Sequence, residues 1–138
     1  IISAGLKLKE AGIEVSEYFL VGIGGKERSR EHAINSAKVL NAINPDFVRL
    51  RTLVPEPGTP LYDELQEGKF QLLGAHEALR EVRLLIENLE CQNTELLSDH
   101  VSNYGNINGI LPGDKQQMLE LIDKYLQIDE SRYGPRHL

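Results

Sequence analysis

Two arginines alternate with apolar residues in residues 47–54, a pattern typical of a β-strand. Successive side chains of a strand point to opposite faces of the sheet, so Arg49 and Arg51 share one face while Val48 and Leu50 share the other. In an antiparallel sheet the arginine face would simply be solvated. In a parallel barrel strand it would point into the barrel, where the two guanidinium groups need a carboxylate, a phosphate or an anionic cofactor group as partner.

A glycine-rich turn, Gly22-Ile23-Gly24-Gly25, directly follows an apolar run that is typical of a buried strand. Glycine backbone can approach a ligand closely and adopt positive φ, so the turn is a candidate nucleotide-binding segment. The dinucleotide fingerprint fails because Glu27 replaces its third glycine, and the P-loop fails because Glu27 also stands where Ser or Thr is required. The alternative is a tight strand-to-helix connection without a ligand.

The four histidines stand at positions 32, 76, 100 and 137, and none has the spacing of a metal-ligand motif. We interpret His32 and His76 as solvated helix residues. His100 precedes a polar cluster at residues 102–104. For His100 itself we favour a structural role in the loop over a catalytic role. Cys91 is the single cysteine and is interpreted as a free thiol, so this chain alone can form neither a disulfide nor an iron–sulfur cluster.

These residues must be positioned by an alternation of helices and strands, which predicts an α/β fold with right-handed crossovers and two or three strands. Ser29 is the predicted N-cap of the second helix and Asp114 that of the last. Glu81 is assigned to the surface of its helix. The predicted elements, in chain order, are a helix ending before Gly12, strand 13–22, helix 29–43, strand 47–54, a short helix from Pro60 to Gln66 capped by Thr59, helix 75–90, a short strand 94–98, an irregular loop 99–113, and helix 115–128.

Length and charge limit the classes of function. A chain of 138 residues suits one domain or part of one, and its net charge of −6 gives no general attraction to nucleic acid or anionic membranes. No stretch approaches the ~20 apolar residues of a membrane span. The first residues show no basic stretch followed by an apolar run, so we do not expect them to be a signal peptide. Because the chain starts at Ile1 without a methionine, we expect it to be a segment of a longer cytoplasmic protein.

Two segments resemble the C-terminal half of the radical S-adenosylmethionine superfamily core. One is Phe19-Leu-Val-Gly-Ile-Gly-Gly-Lys-Glu27, and the other is Pro45-Asp-Phe-Val-Arg-Leu-Arg-Thr-Leu-Val-Pro-Glu-Pro-Gly-Thr-Pro-Leu-Tyr62. They are similar to the iron–sulfur oxidoreductase-like proteins of that superfamily, which include relatives of oxygen-independent coproporphyrinogen oxidase. The resemblance covers residues 1–90, and residues 98–119 are similar to the tail of that subgroup.

The resemblance implies an α/β fragment of a partial parallel (β/α) barrel. Residues 1–90 would carry barrel strands five and six, and residues 91–138 would be a loop and a helical tail. It also implies that the parent enzyme reductively cleaves S-adenosylmethionine to a 5′-deoxyadenosyl radical, using a 4Fe-4S cluster, on an unknown substrate. The cofactor-binding residues it implies are Gly22, Ile23, Gly24 and Gly25 beside the adenine, Val54 and Pro55 in apolar contact, and Arg49 and Arg51 facing the barrel interior.

The sequence also departs from the family pattern. The family's glycine motif is Gly-Leu-Pro-Gly-Glu-Thr, so Lys26 and Glu27 do not match it. The cluster-binding Cys-x3-Cys-x2-Cys segment is absent and would lie upstream. We therefore expect the chain alone to hold no metal, to be inactive, to bind S-adenosylmethionine only weakly, and to self-associate through the edge of strand 13–22. The alternative is a non-catalytic α/β binding or scaffold module.

Overall fold

The computed structural model describes residues 1–137 and contains one four-stranded sheet with the strand order β1-β2-β3-β4. The first three strands are parallel and the last is antiparallel to its neighbour. The chain is therefore an α/β protein with an open, mostly parallel sheet. Its elements are α1 (Ile2–Glu10), β1 (Ser16–Val21), α2 (Gly25–Ile43), β2 (Phe47–Thr52), α3 (Pro60–Gln66), α4 (Ala75–Asn88), β3 (Thr94–Leu97), β4 (Gly109–Leu111), α5 (Lys115–Gln127) and a final 3-10 turn (Glu130–Arg132).

The β1-α2-β2 unit forms as predicted, with parallel strands joined by a helical crossover. Both strands are shorter than expected, and α2 begins at Gly25, four residues before the predicted start. Ser29 as N-cap was therefore wrong: Gly24 occupies the N-cap position, and Ser29 lies inside the helix. By contrast, Thr59 caps α3 as predicted, because its side-chain oxygen accepts a hydrogen bond from the N–H of Tyr62.

The segment 99–113 is not wholly irregular, because β4 lies within it and pairs with β3 in an antiparallel arrangement. A strand of three residues following an Asn- and Gly-rich loop carries almost no periodic signal, so the pattern predicted a loop throughout. Asp114 stands at the N-cap position of α5, but its carboxylate accepts from the N–H of Ile110 and caps no helical N–H. The side chain thus closes the β4–α5 turn.

One face of the sheet is covered by helices and the other is exposed. On the covered face, side chains such as Phe19 and Leu50 are buried against α2, α4 and α5. The core includes residues on both sides of position 90, with Met118 and Ile122 of α5 packed in it. On the other face, here called the open face, Tyr18 is 61% exposed. Within residues 1–137, no helix is both long and apolar enough to cross a lipid bilayer.

Candidate functional site

The glycine turn connects β1 to α2 and is held by its own backbone. Gly22 and Gly25 adopt φ values of +87° and +63°, a left-handed region that favours glycine. The Gly25 N–H donates to the carbonyl of Gly22 at 2.9 Å, and the Ile23 N–H donates to that of Leu20 at 3.4 Å. Two of the four amides of the turn, those of Ile23 and Gly25, are therefore used by the local backbone, and the turn can offer a ligand close backbone approach and the exposed Ile23 side chain.

Gly25 is also required by its surroundings. A Cβ at this position would lie 3.0 Å from the Phe70 ring and 3.1 Å from the carbonyl oxygen of Gln71. The next residue, Lys26, donates its N–H to the same Gln71 carbonyl at 3.0 Å. The loop that precedes α4 thus closes over the start of α2 and fixes the second half of the turn.

A buried carboxylate fixes the first half of the turn. Glu81 of α4 is only 2% exposed, and its Oε1 accepts the Gly22 N–H at 2.8 Å. Its Oε2 accepts from the Ser29 hydroxyl at 2.5 Å. The assignment of Glu81 to the surface was therefore wrong. The helical spacing held the signal, because Glu81 lies three residues after Ala78 and four before Leu85 on the apolar face.

His32 completes this polar group and is not a solvated helix residue. Its ring stacks on Phe19 with centroids 4.4 Å apart, and its Nε2 lies 3.0 Å from the Leu20 carbonyl and 3.8 Å from Oε1 of Glu81. Burial raises the pKa of the Glu81 carboxyl, and the hydrogen bonds from Ser29 and Gly22 and the His32 charge oppose this only in part. His76 is likewise partly buried, with Nε2 2.9 Å from the Ile128 carbonyl.

The segment after β2 runs beside the glycine turn. The Leu53 N–H donates to the Val21 carbonyl at 2.8 Å, which extends the contact between β1 and β2 beyond the last paired residues. A Cβ on Gly22 would lie 3.9 Å from that of Leu53. Val54 and Pro55 follow and are partly exposed. The segment that carries Val54 and Pro55 therefore starts beside the glycine turn, at the carboxyl edge of the sheet.

Arg49 and Arg51 share the open face, as the alternation predicted, while Val48 and Leu50 are buried under the helices. The Arg49 guanidinium carbon lies 5.5 Å from the centre of the Phe47 ring. That of Arg51 lies 5.4 Å from the ring of Tyr18 on β1. Such distances allow cation–π attraction, so each guanidinium group lies beside an aromatic ring on the open face.

The carboxyl end of β2 is closed by a loop that the sequence analysis noted only as a polar cluster. The Asn103 amide nitrogen donates to the carbonyls of Leu50 at 2.8 Å and Ser98 at 3.1 Å, and its Oδ1 accepts from the Thr52 hydroxyl. The Thr52 N–H donates to the Ser102 hydroxyl oxygen at 3.1 Å. These side chains supply the backbone partners that a further strand would supply, and thereby tie residues 99–108 to the sheet.

The same loop brings His100 to the arginines. The Ser102 N–H and hydroxyl both lie within hydrogen-bond distance of Nδ1 of His100, at 3.2 and 2.9 Å. This fixes the ring at the open face. The resulting groove, of about 240 Å³, is called the arginine groove and is lined chiefly by Tyr18, Arg49, Arg51, Leu97, Asp99 and His100.

The remaining candidate groups are not at this edge of the sheet. Cys91 is buried, and its thiol lies 3.6 Å from the Leu40 carbonyl oxygen at the opposite end of α2. Burial raises the pKa of this thiol. Within residues 1–137, no group of three or more His, Cys, Asp or Glu residues is arranged to hold a metal ion.

Comparison with protein-family models and with curated proteins finds no match to this sequence. The functional proposal therefore depends on the residue pattern and on the geometry described above.

Proposed function

We propose that this chain is the C-terminal part of the catalytic barrel of a radical S-adenosylmethionine enzyme. In this proposal β1 and β2 are the fifth and sixth barrel strands, and the open face is the barrel interior. The observation that carries the proposal is the parallel β1-α2-β2 unit, with helices on one face and a glycine turn at its carboxyl edge. In β/α barrels, ligands bind at that edge.

The glycine turn and the neighbouring segment fit part of a nucleoside site. The backbone of Gly22 to Gly25 would approach the adenine closely, while Ile23, Val54 and Pro55 would offer apolar surface beside it. Arg49 and Arg51 would face the interior, next to the cofactor. When bound, S-adenosylmethionine and the cluster together supply the radical chemistry, and the cluster ligands would belong to an upstream segment.

The internal use of the turn's amides has a consequence for this proposal. Because Glu81 and the carbonyls of Leu20 and Gly22 accept the N–H groups of Gly22, Ile23 and Gly25, the turn would shape the adenine site mainly by the path of its backbone and by the Ile23 side chain. The side chain of Lys26, which departs from the family pattern, lies 3.2 Å from Glu77 in an ion pair. It would therefore make no direct contribution to the cofactor site.

The test uses the full-length protein that contains this chain, reconstituted with iron and sulfide and reduced with dithionite. We expect S-adenosylmethionine to be cleaved to 5′-deoxyadenosine, measured by liquid chromatography. We also expect the upstream sequence to contain Cys-x3-Cys-x2-Cys, whose replacement by alanines is the matched control. An upstream sequence without these cysteines, or a reconstituted protein that forms no 5′-deoxyadenosine, would contradict the proposal.

A second candidate is a non-catalytic α/β binding module. The observation that favours it is the closure of the carboxyl end of β2 by Ser102 and Asn103, whose side chains bond the backbone of its last residues without a further strand. The same upstream sequence separates the two candidates, because a binding module has no need of the three cysteines.

A further inference from the structure

We propose that the arginine groove binds a small carboxylate with an apolar body, and that this molecule is the enzyme's substrate. The identification of the ligand as substrate rests on the proposed function, whereas the carboxylate site itself rests on the residues of the groove.

The charge of the groove suits a single carboxylate. Among the residues that line it are two guanidinium groups and one carboxylate, that of Asp99, so one positive charge remains in a chain whose net charge is −6. Within residues 1–137, neither Arg49 nor Arg51 has a carboxylate oxygen within 4 Å. A planar guanidinium binds a carboxylate through two parallel hydrogen bonds, and Arg49 is already partly withdrawn from water.

The position of His100 supplies a third polar group. Its Nδ1 lies against the Ser102 N–H and hydroxyl, which leaves Nε2 as the ring nitrogen that no protein group within residues 1–137 engages. The ring lines the groove beside the arginines. His100 can therefore donate from Nε2 to the same anion that the guanidinium groups bind.

The neighbours of the arginines indicate the apolar body. Arg49 is paired in register with Tyr18 on one side and Leu97 on the other, and Arg51 is paired with Leu20. Tyr18 and Leu20 are 61% and 36% exposed on the open face. An inorganic phosphate would leave these side chains in water, whereas an aromatic or branched carboxylate would cover them while its charged end reached the guanidinium groups.

The experiment titrates the chain with benzoate, with benzamide as the neutral counterpart and with inorganic phosphate as a second anion. Nuclear magnetic resonance of the arginine Nε–Hε groups reports on each arginine separately. We expect benzoate to shift the Arg49 and Arg51 signals saturably, and benzamide and phosphate to shift them at least fivefold less at equal concentration. Equal responses to benzoate and benzamide, or to benzoate and phosphate, would overturn the proposal.

Variants locate the site. Since a charge-assisted hydrogen bond contributes about a factor of ten in affinity, Arg51→Gln should weaken benzoate binding roughly tenfold. Arg28→Gln, which removes an exposed arginine from α2, should leave it unchanged. His100→Asn keeps an acceptor for the Ser102 N–H and removes Nε2, so it should weaken binding about threefold, as expected when a single hydrogen bond to the anion is lost. An Arg51→Gln variant that binds benzoate like the unmodified chain would contradict the assignment.

Competition identifies the occupant. If S-adenosylmethionine displaces benzoate from Arg49 and Arg51 of the full-length protein, the arginines bind the cofactor carboxylate and the substrate assignment is wrong. If both bind together, the assignment stands. The two proposals fail separately, because the benzoate titration needs only this chain and the formation of 5′-deoxyadenosine needs the reconstituted enzyme.

Discussion

The two faces of the sheet are built from alternate residues of the same strands, yet they follow different rules. On the covered face Val48, Leu50 and Phe19 are buried against helices, and the charged side chain that enters this face, Glu81, has hydrogen-bond partners for both oxygens. On the open face Arg49 and Arg51 lie against aromatic rings and keep contact with water. The comparison shows that burial decides whether a charge must be satisfied within the protein.

The physical reason is the cost of removing a charge from water. A buried carboxylate without partners is strongly destabilising, so Glu81 is tolerated only with the Gly22 N–H and Ser29 in place. A partly exposed arginine retains hydration along one side and can remain available for a ligand. The covered face therefore stabilises the fold, and the side chains of the open face remain accessible to a ligand.

The largest expected effect tests the covered face directly. Leu85 is completely buried, so Leu85→Ala should cost about 2–5 kcal/mol of unfolding free energy through lost contacts and a residual cavity. Ile110 is 53% exposed on the open face, and Ile110→Ala should change stability by no more than about 0.5 kcal/mol. Urea unfolding followed by circular dichroism measures both. Equal losses would mean that the open face is covered in solution.

The next effect concerns the glycine turn. Gly25→Ala should cost about 2–4 kcal/mol, because it combines left-handed backbone strain with a Cβ placed 3.0 Å from the Phe70 ring. Gly68 is the matched control: its φ is +75°, but nothing lies within 4 Å of a Cβ there. Gly68→Ala should therefore cost only about 1–2 kcal/mol. A Gly25→Ala variant no less stable than Gly68→Ala would show that the 68–71 loop does not pack on the turn.

A smaller effect tests the loop that carries His100. Asn103→Ala removes the hydrogen bonds to Leu50, Ser98 and Thr52 and should cost about 1–3 kcal/mol. It should also increase hydrogen exchange of residues 99–108. Asn106→Ala removes an exposed amide from the same loop and should leave both measurements close to those of the unmodified chain.

The pH dependence of stability distinguishes a buried carboxyl from a partly exposed one. Because burial raises the pKa of Glu81 in the folded chain, the folded chain keeps this proton to a higher pH than the unfolded chain does. Stability therefore falls as pH rises from the ordinary carboxyl pKa of 4.5 through the raised value. Glu81→Gln lacks this loss, so it should gain stability relative to the unmodified chain as pH rises over that interval. Urea titrations from pH 4 to neutrality would show the difference, and a constant difference would contradict the assignment.

Asp46 should behave in the opposite way. The Val15 N–H is the main cause that lowers its pKa, with Lys9 assisting and burial opposing. Its contribution to stability is therefore present above the ordinary carboxyl pKa of 3.8 and is lost as pH falls through the lowered value. The advantage of the unmodified chain over Asp46→Asn should shrink in acid, and an advantage that grows there would show the sign to be wrong.

The smallest expected effect is weak self-association at the outer edge of β1. This edge lies beside an apolar groove lined by Tyr18, Leu20, Val39 and other residues, and an unpaired strand edge is a template for pairing. Sedimentation velocity at micromolar concentration should detect dimers, which Leu20→Lys should weaken. Ile128→Lys is the control, because Ile128 is equally exposed (37% against 36%) on a different part of the surface. A chain that is monomeric throughout would contradict the prediction.

Much of the fold could be predicted from local patterns. The alternation around Arg49 and the crossover between two apolar strands predicted parallel pairing, and Thr59-Pro60 predicted the start of α3. The start of α2 was predicted four residues too late, because its first residues include a glycine of the turn and show no helical pattern. β4 was missed because three residues are too few to show a period.

The sequence by itself determined which residues alternate, where glycine is needed and which helix faces are apolar, because these depend on backbone geometry and spacing along the chain. Only the tertiary structure decided the partners. Glu81 meets Gly22 across 59 positions and Asn103 meets Leu50 across 53, contacts that no local pattern encodes. The arginine groove likewise needs β1, β2 and the loop after β3 to converge. Each of these contacts needs packing of the covered face to bring distant segments together. Once these segments exclude water, their polar groups gain from pairing with one another.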